Sequence, residues 1–152
     1  MKKLLLSAVC VSALLQTSAW ADISLPQAIK DKGLTVAIMP NYPPMDFKDP
    51  ATNQLTGVDY DLGMAIGKKL GVKINWQEVG FEEMVNAVVT KRVDMVMSGM
   101  TDTKERQKVV NFIDYFSSGP QFYTLSSRSD IKNMLDLCGK RVGTSRRTTF
   151  PQ

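Results

Sequence analysis

Histidine is absent from this sequence of 152 residues. Without it, the chain by itself has no Ser-His-Asp or Cys-His catalytic arrangement and no imidazole ligand for a metal ion. Carboxylate chemistry stays open, because the sequence contains 15 Asp and Glu residues. The 19 Lys and Arg residues give a net charge of +4 but form no basic block, which argues against a nucleic-acid-binding protein.

Long hydrophobic runs are also scarce. The clearest one, residues 4–15, follows the basic pair Lys2-Lys3 and precedes the small-residue box Ala19-Trp20-Ala21. This order is typical of a secretory signal peptide, so we expect residues 1–21 to be removed on export to the periplasm. The run is shorter than the roughly 20 residues that cross a bilayer. The alternatives are a retained membrane anchor and a buried N-terminal helix.

Cysteine occurs only at Cys10 and Cys138. Cys10 lies inside the apolar run and not directly after it, which excludes a lipid attached at that residue. Removal of the signal peptide would leave Cys138 alone, and a lone cysteine cannot form an internal disulfide. We expect Cys138 to be a small buried residue on a short helix.

The rest of the sequence alternates short apolar runs with helical patterns, which predicts an α/β fold whose central sheet is mostly parallel, with right-handed crossovers. A long loop is predicted over residues 40–57. The predicted strands cover residues 34–39, 72–76, 94–100, 121–127 and 141–144. The predicted helices cover residues 24–33, 59–70, 81–91, 103–110 and 131–137.

Two kinds of signal support these helices. Ser24 to Gln27 matches a capping box with a proline early in the helix. Apolar residues at helical spacing predict the faces that pack inward. These residues are Leu62, Ile66 and Leu70 in the second helix, and Met84, Val85, Val88 and Val89 in the third.

Polar and aromatic residues follow the ends of three predicted strands. Ligands of open parallel sheets bind beyond these ends. A guanidinium can clasp a carboxylate, hydroxyls and turn carbonyls can accept from an ammonium, and aromatic rings can cover a side chain. The sequence therefore indicates a site for a small zwitterion. Its candidate residues are Tyr42, Phe81, Ser98, Gly99, Met100, Thr101 and Arg106.

Several segments resemble the family 3 solute-binding proteins of ABC amino-acid importers. Gly57 to Leu62 is similar to the family's Gly-hydrophobe-Asp-x-Asp-Leu signature, and the stretch from Lys91 to Arg106 is the most specific match. Tyr42-Pro43-Pro44 and residues 112–116 fit as well. Residues 130–143 resemble the start of the family's second lobe.

This resemblance implies a periplasmic-binding-protein-like fold of type II, with two α/β lobes and the ligand between them. Residues 22–120 would form the first lobe, with a central, mostly parallel sheet flanked by helices. Residues 121–152 would form a hinge strand and a truncated start of the second lobe, most of which is missing.

The resemblance also implies roles for the candidate residues. Arg106 and the Thr101 amide would hold the α-carboxylate, and the amide of Thr149 would add to that site. The Thr101 hydroxyl and the Ser98-Gly99 turn would hold the α-ammonium. Tyr42 and Phe81 would pack on the ligand's side chain.

The implied function is binding of a small polar amino acid and its delivery to the permease of an ABC transporter. The protein would act as a monomer, not as an enzyme, and without a cofactor, a metal or nucleic acid. The alternatives are a cyclohexadienyl dehydratase-like enzyme of the same fold, a receptor sensor domain and a non-functional fragment.

Two departures from the family pattern affect the site. Arg147 stands where the family usually has a glycine, which allows close approach of backbone to ligand. The second departure is length, because two lobes need about twice the residues of the mature chain. We therefore expect a single open lobe to hold its ligand weakly or not at all, because an exposed ion pair contributes only about 0–1 kcal/mol. The side chains expected to be left partly exposed are Tyr123, Leu125, Val142 and Phe150.

The signal-peptide pattern predicts cleavage between Ala21 and Asp22. Expression in a bacterial host followed by N-terminal sequencing of the periplasmic fraction should therefore yield a chain that begins at Asp22. A chain that begins at Met1 and stays in the cytoplasm would contradict the prediction.

Overall fold

A computed structural model describes residues 24–151. The predicted signal peptide lies outside these residues. The described chain is α/β, as predicted, and its centre is a three-stranded parallel sheet in the order β5-β1-β6. These strands span Leu34–Ile38 (β1), Ile74–Glu78 (β5) and Met95–Val96 (β6).

Strand β1 is the middle strand of this sheet. Val36 lies opposite Trp76 on one side and Met95 on the other. Strand β6 is shorter than the predicted strand of residues 94–100. Backbone bonding nevertheless continues past its end, where the Met97 amide donates to the Ala37 carbonyl at 3.0 Å.

Neighbouring residues of β1 face opposite sides of the sheet, so the core has two halves. Val36 packs with Ile74 and Met97 on one side, and Ala37 packs with Met84 and other residues on the opposite side. All five of these residues are buried. The sheet is therefore covered on both faces, as parallel sheets are.

Four helices of the described chain accompany the sheet, and the two that contain residues 62–66 and 84–88 cover its two faces. They span Gln27–Lys32 (α1), Val58–Leu70 (α2), Met84–Val89 (α3) and Lys104–Gln107 (α4). A 3-10 turn at Phe81–Glu83 leads into α3, and a second one lies at Met134–Leu137. Helix α4 is shorter than the predicted 103–110, and the second 3-10 turn replaces the helix predicted over 131–137.

Helix α2 lies close to the sheet because two glycines face it. Gly63 and Gly67 are buried, and a Cβ atom at Gly63 would lie 2.5 Å from Cη2 of Trp76. Leu62 and Ile66 pack beside them against the core, as predicted. Gly71 ends the helix in the left-handed conformation, which glycine adopts readily.

The predicted loop over residues 40–57 contains a small antiparallel sheet. Its strands are Asn41–Tyr42 (β2), Asp46–Lys48 (β3) and Leu55–Thr56 (β4), in that order. Each of these strands has only two or three residues, too few for the alternation of polar and apolar residues that identifies a strand in a sequence.

Three details near the helices differ from prediction. Pro26 is the N-cap residue of α1 and no side chain caps that helix, so the predicted capping box is wrong. In α3, Ala87 is buried while Val89 is 51% exposed. This six-residue helix turns the face that contains positions 84 and 87 toward the sheet, because residues three apart share a face.

The strands predicted over residues 121–127 and 141–144 do not form. A strand needs a neighbour for its backbone N–H and C=O groups, and the described chain provides none for either segment. Side chains that would face a core are consequently exposed, as expected. Their exposed fractions are 98% for Tyr123, 74% for Leu125, 52% for Val142 and 50% for Phe150. Cys138 is a free, exposed cysteine in this same region, so its predicted burial is wrong.

Among the described residues, none of the helices has the length and apolar character needed to span a bilayer.

The close packing of α2 predicts that Gly63→Leu lowers the free energy of unfolding by about 1–3 kcal/mol, the usual cost of overpacking. Urea unfolding followed by circular dichroism measures the change. Ala65→Leu is the matched control, since it places the same side chain on the exposed face of α2. Equal stabilities for the two variants would show that α2 does not lie as close to Trp76 as described.

Candidate functional site

The candidate residues lie on segments that follow the three parallel strands. Tyr42 follows β1, Phe81 follows β5, and the turn of residues 98–101 follows β6. Carboxyl ends of parallel strands meet at the same edge of a sheet, so these segments become neighbours. We refer to residues 98–101 as the Gly99 turn.

Tyr42 and Gly99 are in close contact. A Cβ atom at Gly99 would lie 3.0 Å from Cδ1 and Cε1 of the Tyr42 ring. Gly99 also has a φ of +56°, a conformation that favours glycine. Tyr42 remains 43% exposed, so one part of its ring packs on the turn while another part faces solvent.

The side chains of Ser98 and Met100 point into the protein, away from the exposed part of the Tyr42 ring. Ser98 is 5% exposed, and its Oγ accepts a hydrogen bond from the Met39 amide at 3.1 Å. Met100 packs against the buried cluster on the Ala37 side of the sheet. The structure therefore turns the side chains of both residues into the interior, where they anchor the Gly99 turn.

Arg106 lies across the same edge on helix α4. Thr103 accepts a hydrogen bond from the Arg106 amide and so caps this short helix. The guanidinium donates through Nη1 to the Thr101 carbonyl at 2.7 Å, and its Cζ lies 5.6 Å from the centre of the Phe81 ring. This distance is within the range of a cation–π contact. Partial burial lowers the pKa of Arg106, but a guanidinium stays charged in proteins.

The segment around Arg147 reaches the site from the far end of the described chain. The Arg147 carbonyl accepts a hydrogen bond from Nη2 of Arg106 at 3.0 Å, and the hydroxyls of Thr149 and Thr101 lie 3.5 Å apart. Arg147 has a φ of +61°, so this position retains the backbone conformation that glycine would adopt more easily. Its side chain is exposed, while its carbonyl faces Arg106.

Two residues outside the predicted set, Asp59 and Tyr115, hold the candidate site together. Asp59, fully buried at the start of α2, accepts from the Gly99 amide at 2.8 Å and from the Tyr115 hydroxyl at 2.7 Å. The Gly99 amide therefore points inward to a carboxylate and is not free for a ligand. The one sequence signal for Asp59 is its place within the Gly57 to Leu62 signature. Its hydrogen-bond partners are 40 and 56 positions away, so a local pattern does not indicate them.

The site thus combines one guanidinium, two aromatic rings, the Thr101 hydroxyl and a turn supported from below. This set can bind a carboxylate and cover an attached side chain. No group of three or more metal-ligating side chains occurs in the part of the chain that the structure describes.

A sequence model of the bacterial extracellular solute-binding proteins, family 3, matches residues 34–147. The chain belongs to this family.

Several characterised relatives of this family 3 chain bind amino acids, as their names state. It is 32% identical over 138 residues to the L-arginine-binding protein of Pseudomonas aeruginosa, a match that covers 90% of this chain and 53% of that protein. It is 30% identical over 150 residues to the histidine-binding periplasmic protein of Salmonella typhimurium, covering 98% and 55%. The chain spans about half the length of the curated relatives it matches.

Solved structures of arginine-binding proteins resemble the chain as well. The arginine-bound form of domain 1 of TmArgBP, with a Phe-to-Trp mutation, has 37% identity and a TM-score of 0.54, covering 57% of this chain and 67% of that one. A truncated, arginine-bound ArgBP from T. maritima has 38% identity and a TM-score of 0.57, covering 60% and 43%. These matches agree with a first-lobe fold of the periplasmic-binding-protein-like type.

The contact between Gly99 and Tyr42 predicts that Gly99→Ala is destabilising. The new Cβ meets the Tyr42 ring, and an alanine in the left-handed region costs roughly 1–2 kcal/mol. We expect the free energy of unfolding to fall by about that amount in a urea titration. Gly119→Ala is the control, because its Cβ would meet no atom within 4 Å. A loss of the same size in both variants would mean that the Gly99 turn is not constrained as described.

Proposed function

We propose that this chain binds a basic amino acid of the arginine class at the edge formed by Tyr42, Phe81, Thr101 and Arg106. The α-carboxylate would lie on Arg106 and the Thr101 amide, and Thr149 would add a contact from the opposite side. The α-ammonium would lie on the Thr101 hydroxyl and the Gly99 turn. The inward-facing side chains of Ser98 and Met100 would anchor that turn to the interior.

The placement of Arg106 is the observation that carries this proposal. The Thr101 carbonyl, the Arg147 carbonyl and the Phe81 ring hold its guanidinium on three sides. A cation held in this way loses little side-chain entropy on binding, so more of each new hydrogen bond contributes to affinity. The guanidinium has five N–H donors, and the two carbonyls leave others for a carboxylate.

Two features support a basic side chain on the ligand. The rings of Tyr42 and Phe81 offer aromatic faces on which a guanidinium or imidazolium can stack. Relatives over most of the chain are named arginine- or histidine-binding proteins, and those names motivate the choice.

Binding by this one lobe is part of the proposal, although an open lobe was expected to bind weakly. Domain 1 of TmArgBP has been crystallised in an arginine-bound form, which supports the idea that a first lobe can hold arginine. In this chain, the contacts of Arg147 and Thr149 with the site would cover part of its open side.

Delivery to the permease of an ABC transporter is the proposed biological role. It rests on family membership and on the export predicted from residues 1–21. The proposed role is binding without chemical conversion of the ligand. The names of the family's relatives, which are binding proteins, support it.

Isothermal titration of the purified chain with L-arginine, L-histidine and L-glutamate tests the proposal. We expect arginine to bind, and Arg106→Ala to weaken binding at least tenfold, because each charge-assisted hydrogen bond contributes about 1.5–3 kcal/mol. Arg128→Ala is the control, since that arginine is exposed and pairs with Asp130, not with a residue of the candidate site. Unchanged affinity in Arg106→Ala would remove the residue from the site, and the absence of heat with any of the three ligands would refute binding by this lobe.

A further inference from the structure

Asp46 is a fully buried carboxyl group without a hydrogen-bond donor. It lies on β3 opposite Tyr42, and its exposed fraction is 0%. Neither of its carboxyl oxygens has a hydrogen-bond partner among residues 24–151. An ionised carboxylate in such a place is strongly disfavoured, so the group is expected to be neutral or to share a proton.

The neighbouring carboxyl group of Asp59 has the opposite arrangement. The Asp59 amide donates to the Met45 carbonyl at 2.8 Å, which brings the start of α2 beside Asp46. Both Asp59 oxygens accept hydrogen bonds, one from the Gly99 amide and one from the Tyr115 hydroxyl. Both oxygens of this buried carboxyl group are therefore hydrogen-bonded, whereas those of Asp46 are not.

We propose that Asp46 holds a proton and shares it with the Asp59 carboxylate, and that this buried pair positions the Gly99 turn for ligand binding. The pair is a positioning device, since neither carboxyl group would touch the ligand. The inference rests on the proposed function for its effect on affinity, but the pair itself is testable without a ligand.

The environment of Asp46 supports the shared proton. The pKa of Asp46 is raised to about 7, chiefly by burial and also by the charge and carboxyl group of Asp59. The nearby Ser98 hydroxyl and Asn41 backbone lower it, but neither makes a hydrogen bond to an Asp46 oxygen. Tyr115 is the other titratable group that faces the pair. Burial and Asp59 raise the pKa of Tyr115, so its hydroxyl remains a donor throughout the neutral range.

The sign of the pH effect follows from this raised pKa. The unfolded chain loses the Asp46 proton near pH 3.8, whereas the folded chain keeps it until about pH 7. Folding stability therefore falls as the pH rises between these values and is level above them. Above pH 7 two adjacent negative charges repel each other in the folded chain, which disturbs the hydrogen bond of Asp59 to the Gly99 amide.

This coupling reaches the ligand through the Gly99 turn. The turn supports the Tyr42 ring at Gly99 and provides the Thr101 carbonyl that holds Arg106. A change in the Asp46 proton would thus alter two ligand contacts together. Arginine would bind more weakly above pH 7 than below it.

The first experiment is an NMR titration of the ligand-free chain from pH 5 to pH 9. We expect the Asp46 carboxyl carbon and the Gly99 amide to titrate together with a midpoint near pH 7. The variant Asp46→Asn keeps the shape of the side chain and supplies a donor, but it has no titratable group at this position. In that variant the chemical shift of the Gly99 amide should not change with pH. An Asp46 midpoint near pH 4, or a Gly99 amide that is insensitive to pH in the unmodified chain, would overturn the proposal.

The second experiment is arginine titration at pH 6.0 and pH 8.5. We expect the unmodified chain to lose affinity at least fivefold between these pH values, and Asp46→Asn to reduce that ratio below twofold. Asp61→Asn is the control, because Asp61 is exposed on α2. This variant should show the same fivefold difference in arginine affinity between the two pH values as the unmodified chain. The ionisation of arginine itself affects all three proteins equally.

The two experiments separate the two proposals. A chain that shows the NMR midpoint near pH 7 but binds no arginine would refute the proposed function and leave the carboxyl pair established. A chain that binds arginine with the same affinity at both pH values would overturn the effect of the pair on the ligand. If Asp46→Asn does not fold, the titration of the Gly99 amide in the unmodified chain still decides the matter.

Discussion

The parallel pairing of β1 with a strand on each side is the constraint on which the rest of this structure depends. The backbone of β1 is bonded to β5 over five residue pairs and to β6 over two. Because all three strands point the same way, their ends deliver Tyr42, Phe81 and the Gly99 turn to one edge. The same pairing leaves Val36 and Ala37 on opposite faces, so helices on both sides are needed to cover them.

Asp59 converts this shared edge into a defined site. Its buried carboxylate ties together the start of α2, the Gly99 turn and Tyr115, which are distant in sequence. Backbone N–H groups that are buried need an acceptor, and a carboxylate is a stronger acceptor than a carbonyl. A glycine at position 99 then allows the Tyr42 ring to pack directly on the turn. The Gly99 turn therefore lies between the buried carboxyl group of Asp59 and the aromatic ring of Tyr42.

The part of the chain after residue 120 behaves differently from the lobe before it. Its predicted strands are unpaired and its large apolar side chains are exposed, since the described chain has no surface for them to cover. Even so, Arg147 and Thr149 return to the candidate site and contact Arg106 and Thr101. Those contacts link the end of the described chain to the edge of the sheet.

The sequence by itself determined the fold class and the three parallel strands, and it predicted the edge of the sheet where the candidate site lies, because periodicity and turn residues are local signals. It also pointed to Tyr42, Phe81, Thr101 and Arg106, which follow strands or caps that can be read from neighbouring residues. Only the tertiary structure decided that the Gly99 amide faces Asp59, that Ser98 and Met100 turn inward, and that Asp46 is buried without a donor. These outcomes depend on residues tens of positions apart, and no local pattern encodes which of them will meet.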